Sequence, residues 1–123
     1  MSHEKEVLWR ENKYEVMSHS QNAYREIQKS ISNLSYEELN GLIVEAKKVD
    51  KTKGSITNTY QHIWGYFKKQ ATDNEKQQTF VLLENFTNNK VAEEVIWTWL
   101  AKLTVKYNQT YLLESTIITK YIN

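Results

Sequence analysis

The sequence predicts an all-α protein, a compact bundle of about six or seven helices, and three observations carry that prediction. There is no proline and there are only three glycines in 123 residues, whereas strands joined by tight turns need frequent punctuation by both. Apolar residues recur at three- and four-residue spacing along most of the chain. Two segments, Ser35-Tyr-Glu-Glu38 and Thr72-Asp-Asn-Glu75, read as capping boxes, in which a hydroxyl and a carboxylate satisfy each other's orphan backbone N–H groups at a helix start.

The first helix is expected over about Lys5 to His19, with Trp9, Lys13, Val16 and Met17 on adjacent turns. Ser20 then reads as the N-cap of a second helix, in which Tyr24, Ile27, Ile31 and Leu34 recur at helical spacing. The Ser35 box opens a third, with Leu39, Leu42, Ile43 and Ala46 as its apolar stripe. Lys47 to Gly54 is the longest polar linker and the densest basic cluster, and its lysines read as a solubilising loop. Ser55 and Thr57 are the candidate caps of a fourth helix.

The Thr72 box starts a fifth helix carrying Phe80, Leu83 and Phe86, which Asn88-Asn89 ends. A sixth, from about Val91 to Tyr107, shows a broad apolar face of Val95, Ile96, Trp99, Leu100 and Leu103, which predicts a central position. The tail from Asn108 contains a β-branched run, Thr116-Ile-Ile-Thr119. It is assigned as helix because a lone strand would have no partner. At this length residues 1–123 make one domain.

Composition narrows the function. Without cysteine there is no disulfide framework, thiol nucleophile or cysteine-held metal in this chain, which fits a reducing cytoplasm. The opening residues lead into no apolar run like a signal peptide, and no window approaches the roughly 18 apolar residues of a membrane span. A net charge of +1, from 16 basic and 15 acidic side chains, gives no global attraction for nucleic acid, so an electrostatic partner must be read from local clustering.

The most informative stretch is Asn58 to Lys69. On one helix, Ile56, Tyr60, Ile63, Trp64 and Phe67 form a continuous apolar stripe. Asn58, Gln61, His62, Gly65, Lys68 and Lys69 lie opposite. Amide, imidazole and ammonium groups in a row can contact phosphates and base edges, and Tyr66 is placed to stack. The competing reading is structural. Gly65, which costs roughly 1 kcal/mol relative to alanine inside a helix, would then let two helices cross closely, while His62 and Gln61 bond to neighbouring helices.

Chemistry of other kinds has little support. His3, His19 and His62 show no metal-ligand spacing, although His19 and His62 with Glu15 or Glu75 would make a minimal ligand set. There is no nucleophile elbow and no phosphate-cradling glycine loop. Pairs such as Glu37-Glu38 and Glu93-Glu94 read as first-turn carboxylates facing the helix dipole. No cofactor is implied.

The order Lys13-Tyr-Glu-Val-Met-Ser-His-Ser20, Tyr24-Arg25, Gln61-His-x-x-Gly-Tyr-Phe-Lys68, Glu75-Lys76 and Tyr111-Leu112 resembles the YbgA-like family, nearly from end to end. That is a bacterial domain of unknown function, found alone or fused to a thiouracil desulfidase-like domain. The chain departs from the family at Asn12, where a histidine is usual. It departs again at Ala92-Glu93 and at Lys120-Tyr-Ile122, where prolines are usual. In fused members the domain is thought to present a thiolated tRNA to the desulfidase. Carried over, the resemblance implies RNA contact by Lys13, His19, Arg25, Asn58, Gln61, His62, Tyr66, Lys68 and Lys69, and a separate desulfidase-type catalytic partner.

Accessory recognition of structured RNA such as tRNA is therefore the favoured function. A protein–protein module or homodimer anchored by exposed aromatics such as Trp9 or Trp97 is the main alternative. A small enzyme using His62 or His19 as general base is the third, and it requires a concave pocket with both histidines nearby.

Overall fold

A computed structural model describes residues 2–122. Six principal helices are present among them: α1 (His3–His19), α2 (Gln21–Ser30), α3 (Tyr36–Ala46), α4 (Lys53–Trp64), α5 (Asp73–Thr87) and α6 (Glu93–Lys106). Two single turns follow, α7 (Thr110–Leu113) and α8 (Thr116–Thr119), and there is no strand among the described residues. The all-α expectation holds, including the β-branched tail.

Local chemistry sets the boundaries. Ser2, Ser20, Ser35 and Thr72 each accept the backbone N–H three residues on, and the Ser35–Glu38 and Thr72–Glu75 boxes close in both directions. The start of α4 differs from expectation. Thr52 is the cap, and Ser55 takes the place that Glu fills in the other boxes, so Gly54 lies inside the first turn. Asn89 and Asn108 end α5 and α6 with φ of 60° and 47°, the left-handed conformation that asparagine tolerates better than most residues. Ala92, at the N-cap of α6, supplies no side-chain cap.

Two apolar clusters hold the bundle, and α1 contributes to both. Trp9 and Val16 pack with Ile27, Ile31, Leu39 and Ile43 of α2, its trailing 3-10 turn and α3. Tyr14 and Met17 belong to the larger cluster with Tyr60, Ile63, Phe67, Trp97, Leu100 and the tail residues Leu112, Ile117 and Ile118. Where α1 meets α4, small hydroxyl residues allow close approach, and Ser55 Oγ donates to the Ser18 carbonyl at 2.7 Å.

Central placement of α6 is confirmed, since Ile96, Trp97, Leu100, Ala101, Leu103 and Thr104 are all buried. Its inward face is rotated from the one expected. Val95 is exposed, and Trp97, a candidate docking anchor, is fully buried with its ring 6.2 Å from that of Tyr60. Trp9 is buried as well, its indole N–H on Gln28 Oε1 at 2.8 Å. Neither tryptophan is a surface anchor.

The basic linker has a structural job. Lys47 reaches Asn12 Oδ1 at 2.6 Å, Lys48 pairs with Glu45 at 3.0 Å, and Lys51 with Glu93 at 2.6 Å. Lys53 donates to the Thr87 carbonyl and to the Asn89 side chain. Asn12 is thus a buried bridge between α1 and the linker. Deeper still, Glu15 holds Lys120 at 2.9 Å and Lys47 at 3.8 Å, tying the linker and the tail to α1.

Candidate binding groove between helices 4 and 5

Helix α4 stops at Trp64, five residues short of the expected end. Gly65 is its C-cap and residues 65–70 continue as turns. A Cβ at Gly65 would meet only the carbonyl oxygens of His62, at 3.1 Å, and Gln61, at 3.9 Å. No second helix and no foreign backbone approaches it, so the close-crossing explanation fails. With φ at −53°, this glycine is not required by a left-handed conformation either.

The turn after Trp64 carries Phe67 into the core and leaves Lys68 and Lys69 on the surface. Chain direction then reverses, and α5 returns beside α4. Between them lies an open groove of about 420 Å³ lined by Tyr60, Gln61, Trp64, Lys68, Lys76, Thr79, Phe80 and Leu83. Phe80, one of the apolar residues that mark α5, is 68% exposed. The buried residues of α5 are Glu75, Thr79 and Phe86, so of its three apolar landmarks only Phe86 is fully inside.

Polar groups at the inner wall of the groove are already committed. The Tyr60 hydroxyl donates to the Thr79 carbonyl at 2.9 Å, and burial pushes its pKa well above the ordinary value. The Thr79 hydroxyl donates to the Glu75 carbonyl and accepts the Trp99 indole N–H, both at 2.8 Å. The ammonium groups are different. Ion pairs run through Arg10, Lys47, Lys48, Lys51, Lys106 and Lys120, which leaves Lys68 and Lys76 without a carboxylate partner among the described residues. No acidic side chain lines the groove.

The other residues expected at a site are dispersed. Gln61 and Lys68 line the groove; His62 and Lys69 are exposed on the same segment. Asn58 donates its amide to Gln21. His19 Nδ1 donates to the Val49 carbonyl at 2.8 Å, holding the linker to α1. Arg25 is exposed on α2 beside Tyr24, Gln28 and Lys29.

Lys13 and Tyr66 do meet, in a tyrosine cluster. Tyr66 stacks on Tyr111 at 5.9 Å, and its hydroxyl lies 2.7 Å from that of Tyr14. Lys13 Nζ sits 4.9 Å from the Tyr111 ring centre. Burial, reinforced by the Tyr66 hydroxyl, raises the Tyr14 pKa. With one face covered by Tyr111, Tyr66 is half-buried. Phe80 is presented far more freely, and sequence reasoning missed it together with Trp64 and Lys76. Its spacing from Lys76, one turn away on α5, is the signal that pointed outward.

Neither His19 nor His62 lines the groove, and no three His, Asp or Glu side chains converge among the described residues. Glu75 is bound on every side. Lys106 donates to it at 2.5 Å, the Tyr107 hydroxyl donates as well, and the Thr72 amide does so at 2.9 Å. Those three donors pull its pKa down to about 2, led by Lys106, so at neutral pH it is a fixed anion and a poor base. A lowered folded-state pKa contributes stability above the unfolded value, and the contribution fades as pH falls from about 4.5 towards 2. Replacing Glu75 by Gln is expected to lower the melting temperature at pH 7 and to flatten its acid dependence across that window, as read by thermal denaturation at several pH values.

Residues 13–121 match the family described as "Protein of unknown function (DUF1722)". The chain belongs to that family. The DUF1722 match takes in the whole groove, the tyrosine cluster and the buried Glu15 and Glu75 hubs. Neither the curated proteins nor the solved structures contain a match to the chain. Among the described residues no helix is long and apolar enough to cross a membrane.

Proposed function

We propose that this DUF1722 chain is an accessory recognition domain for structured RNA such as tRNA, acting in the cytoplasm beside a separate catalytic protein of the thiouridine-desulfidase type. The observation that carries the reading is the α4–α5 groove, where exposed aromatic surface adjoins two unpaired ammonium groups and no acid. Ammonium groups bind the phosphate backbone, and exposed rings stack on bases. Gln61 and Lys68 act within the groove, and His62 and Lys69 are exposed on the same segment. Stacking passes from Tyr66 to Phe80 and Trp64. Lys13 and Arg25 add charge at a distance, while His19 and Asn58 support the framework through Val49 and Gln21.

With a net charge of only +1, affinity rests on a few contacts and falls steeply with salt. The test is a fluorescence titration with bulk tRNA at low and moderate salt. Binding at micromolar protein in low salt, weakened by added salt, is expected; no binding under those conditions sinks the reading.

A protein-docking role is favoured by exposed apolar residues elsewhere. Tyr36, Leu42, Val44 and Val49 are all more than two-fifths exposed on or just after α3, and Leu42 had been expected in the core. A stable homodimer in sedimentation, disrupted by Leu42→Glu, would point to α3.

A further inference from the structure

We propose that the α4–α5 groove is a pocket for one unstacked nucleotide, with the base against Phe80 and Trp64 and the phosphate on Lys68 and Lys76. The proposal rests on the RNA reading above and narrows it, from contact with a folded RNA surface to capture of a single extruded or single-stranded unit.

The inventory of free groups in the groove defines the ligand. Three of the four tryptophans spend their indole N–H internally, Trp9 on Gln28, Trp97 on Glu93 and Trp99 on Thr79. The Trp64 N–H has no acceptor among the described residues. The Gln61 amide is equally uncommitted and exposed, whereas the Tyr60 and Thr79 hydroxyls are both in use. What remains is two ammonium groups, one indole N–H and one amide, set beside apolar surface from Phe80, Trp64 and Leu83. The excess of donors over acceptors calls for an anion rich in acceptors, and the rings call for a flat partner. A nucleotide joins both features at a fixed spacing.

Size argues against the other amphipathic candidate, an acidic helix. The groove holds about 420 Å³, near the lower end of the range for small-ligand sites. Its outward apolar wall on α5 is Phe80 and Leu83, within a single turn, while a docked helix needs anchors spread over two or three turns. A duplex is disfavoured too, because stacked and paired bases present no free face to Phe80.

The test follows the four indole N–H signals by 1H–15N NMR while AMP is added in the millimolar range, with Trp64→Phe identifying the Trp64 signal. Saturable movement of the Trp64 signal is expected, while those of Trp9 and Trp97 stay fixed. Adenosine and ribose 5-phosphate, each lacking one half of the ligand, should bind at least about tenfold more weakly. Phe80→Ser should weaken AMP by a similar factor without unfolding the chain, since the ring is already in solvent. Equal binding of AMP by Phe80→Ser and wild type overturns the pocket. So does an acidic amphipathic peptide that shifts the Trp64 signal where AMP does not. If tRNA binds wild type and Phe80→Ser alike, the pocket falls and the RNA reading survives. If neither tRNA nor AMP binds, both fall.

Discussion

Trp97→Ala is expected to cost roughly 3–5 kcal/mol of folding free energy, the usual range for deleting a fully buried large aromatic. The ring has no solvent exposure and packs against Tyr60. Its N–H donates to Glu93 Oε2 at 2.7 Å, and the same oxygen receives Lys51 at 2.6 Å. Truncation therefore opens a cavity at the contact of α4 and α6 and also loosens the carboxylate that pins the linker between α3 and α4. Against the roughly 5–15 kcal/mol that holds a domain of ordinary size, such a loss leaves a large unfolded fraction. Urea denaturation of the two proteins measures it. A change under 1 kcal/mol would show that the cluster around α6 is not the centre of the fold.

Helix number, order and most starts were legible because they depend on local signals. The Ser35 and Thr72 boxes announce themselves within four residues. Facing was less legible, most of all on α5 and α6. On α5 the buried set includes Glu75 and Thr79, polar residues whose side chains are satisfied by Lys106, Tyr107, Trp99 and a backbone carbonyl. A stripe drawn through apolar residues alone leaves both out and gives no sign that Phe80 is exposed. On α6 both Val95 and Trp97 are apolar, and packing against Tyr60 makes Trp97 the inward one.

The candidate site was half legible. Gln61 and Lys68 come from the block that the sequence singled out, yet their partners Lys76 and Phe80 lie on another helix. Joining them required the reversal after Gly65. The linker lysines show the opposite failure. Their four charges look free in sequence, and acceptors on α1, α3, α5 and α6 take them up only once the chain is folded.

The double variant Lys68→Glu, Lys76→Glu is expected to bind tRNA about 100-fold more weakly than wild type at low salt, roughly tenfold for each phosphate contact reversed. Both side chains are exposed and neither is paired with a carboxylate, so the melting temperature should hardly move. The slope of log affinity against log salt should fall by about two for the same reason. This comparison, wild type against the double variant in one tRNA titration series, tests the groove most directly. A large loss of affinity and of salt dependence with an unchanged melting curve is the predicted result. Equal affinity and equal salt slope in the two proteins would contradict the account and move the search for a binding surface to the exposed apolar residues of α3.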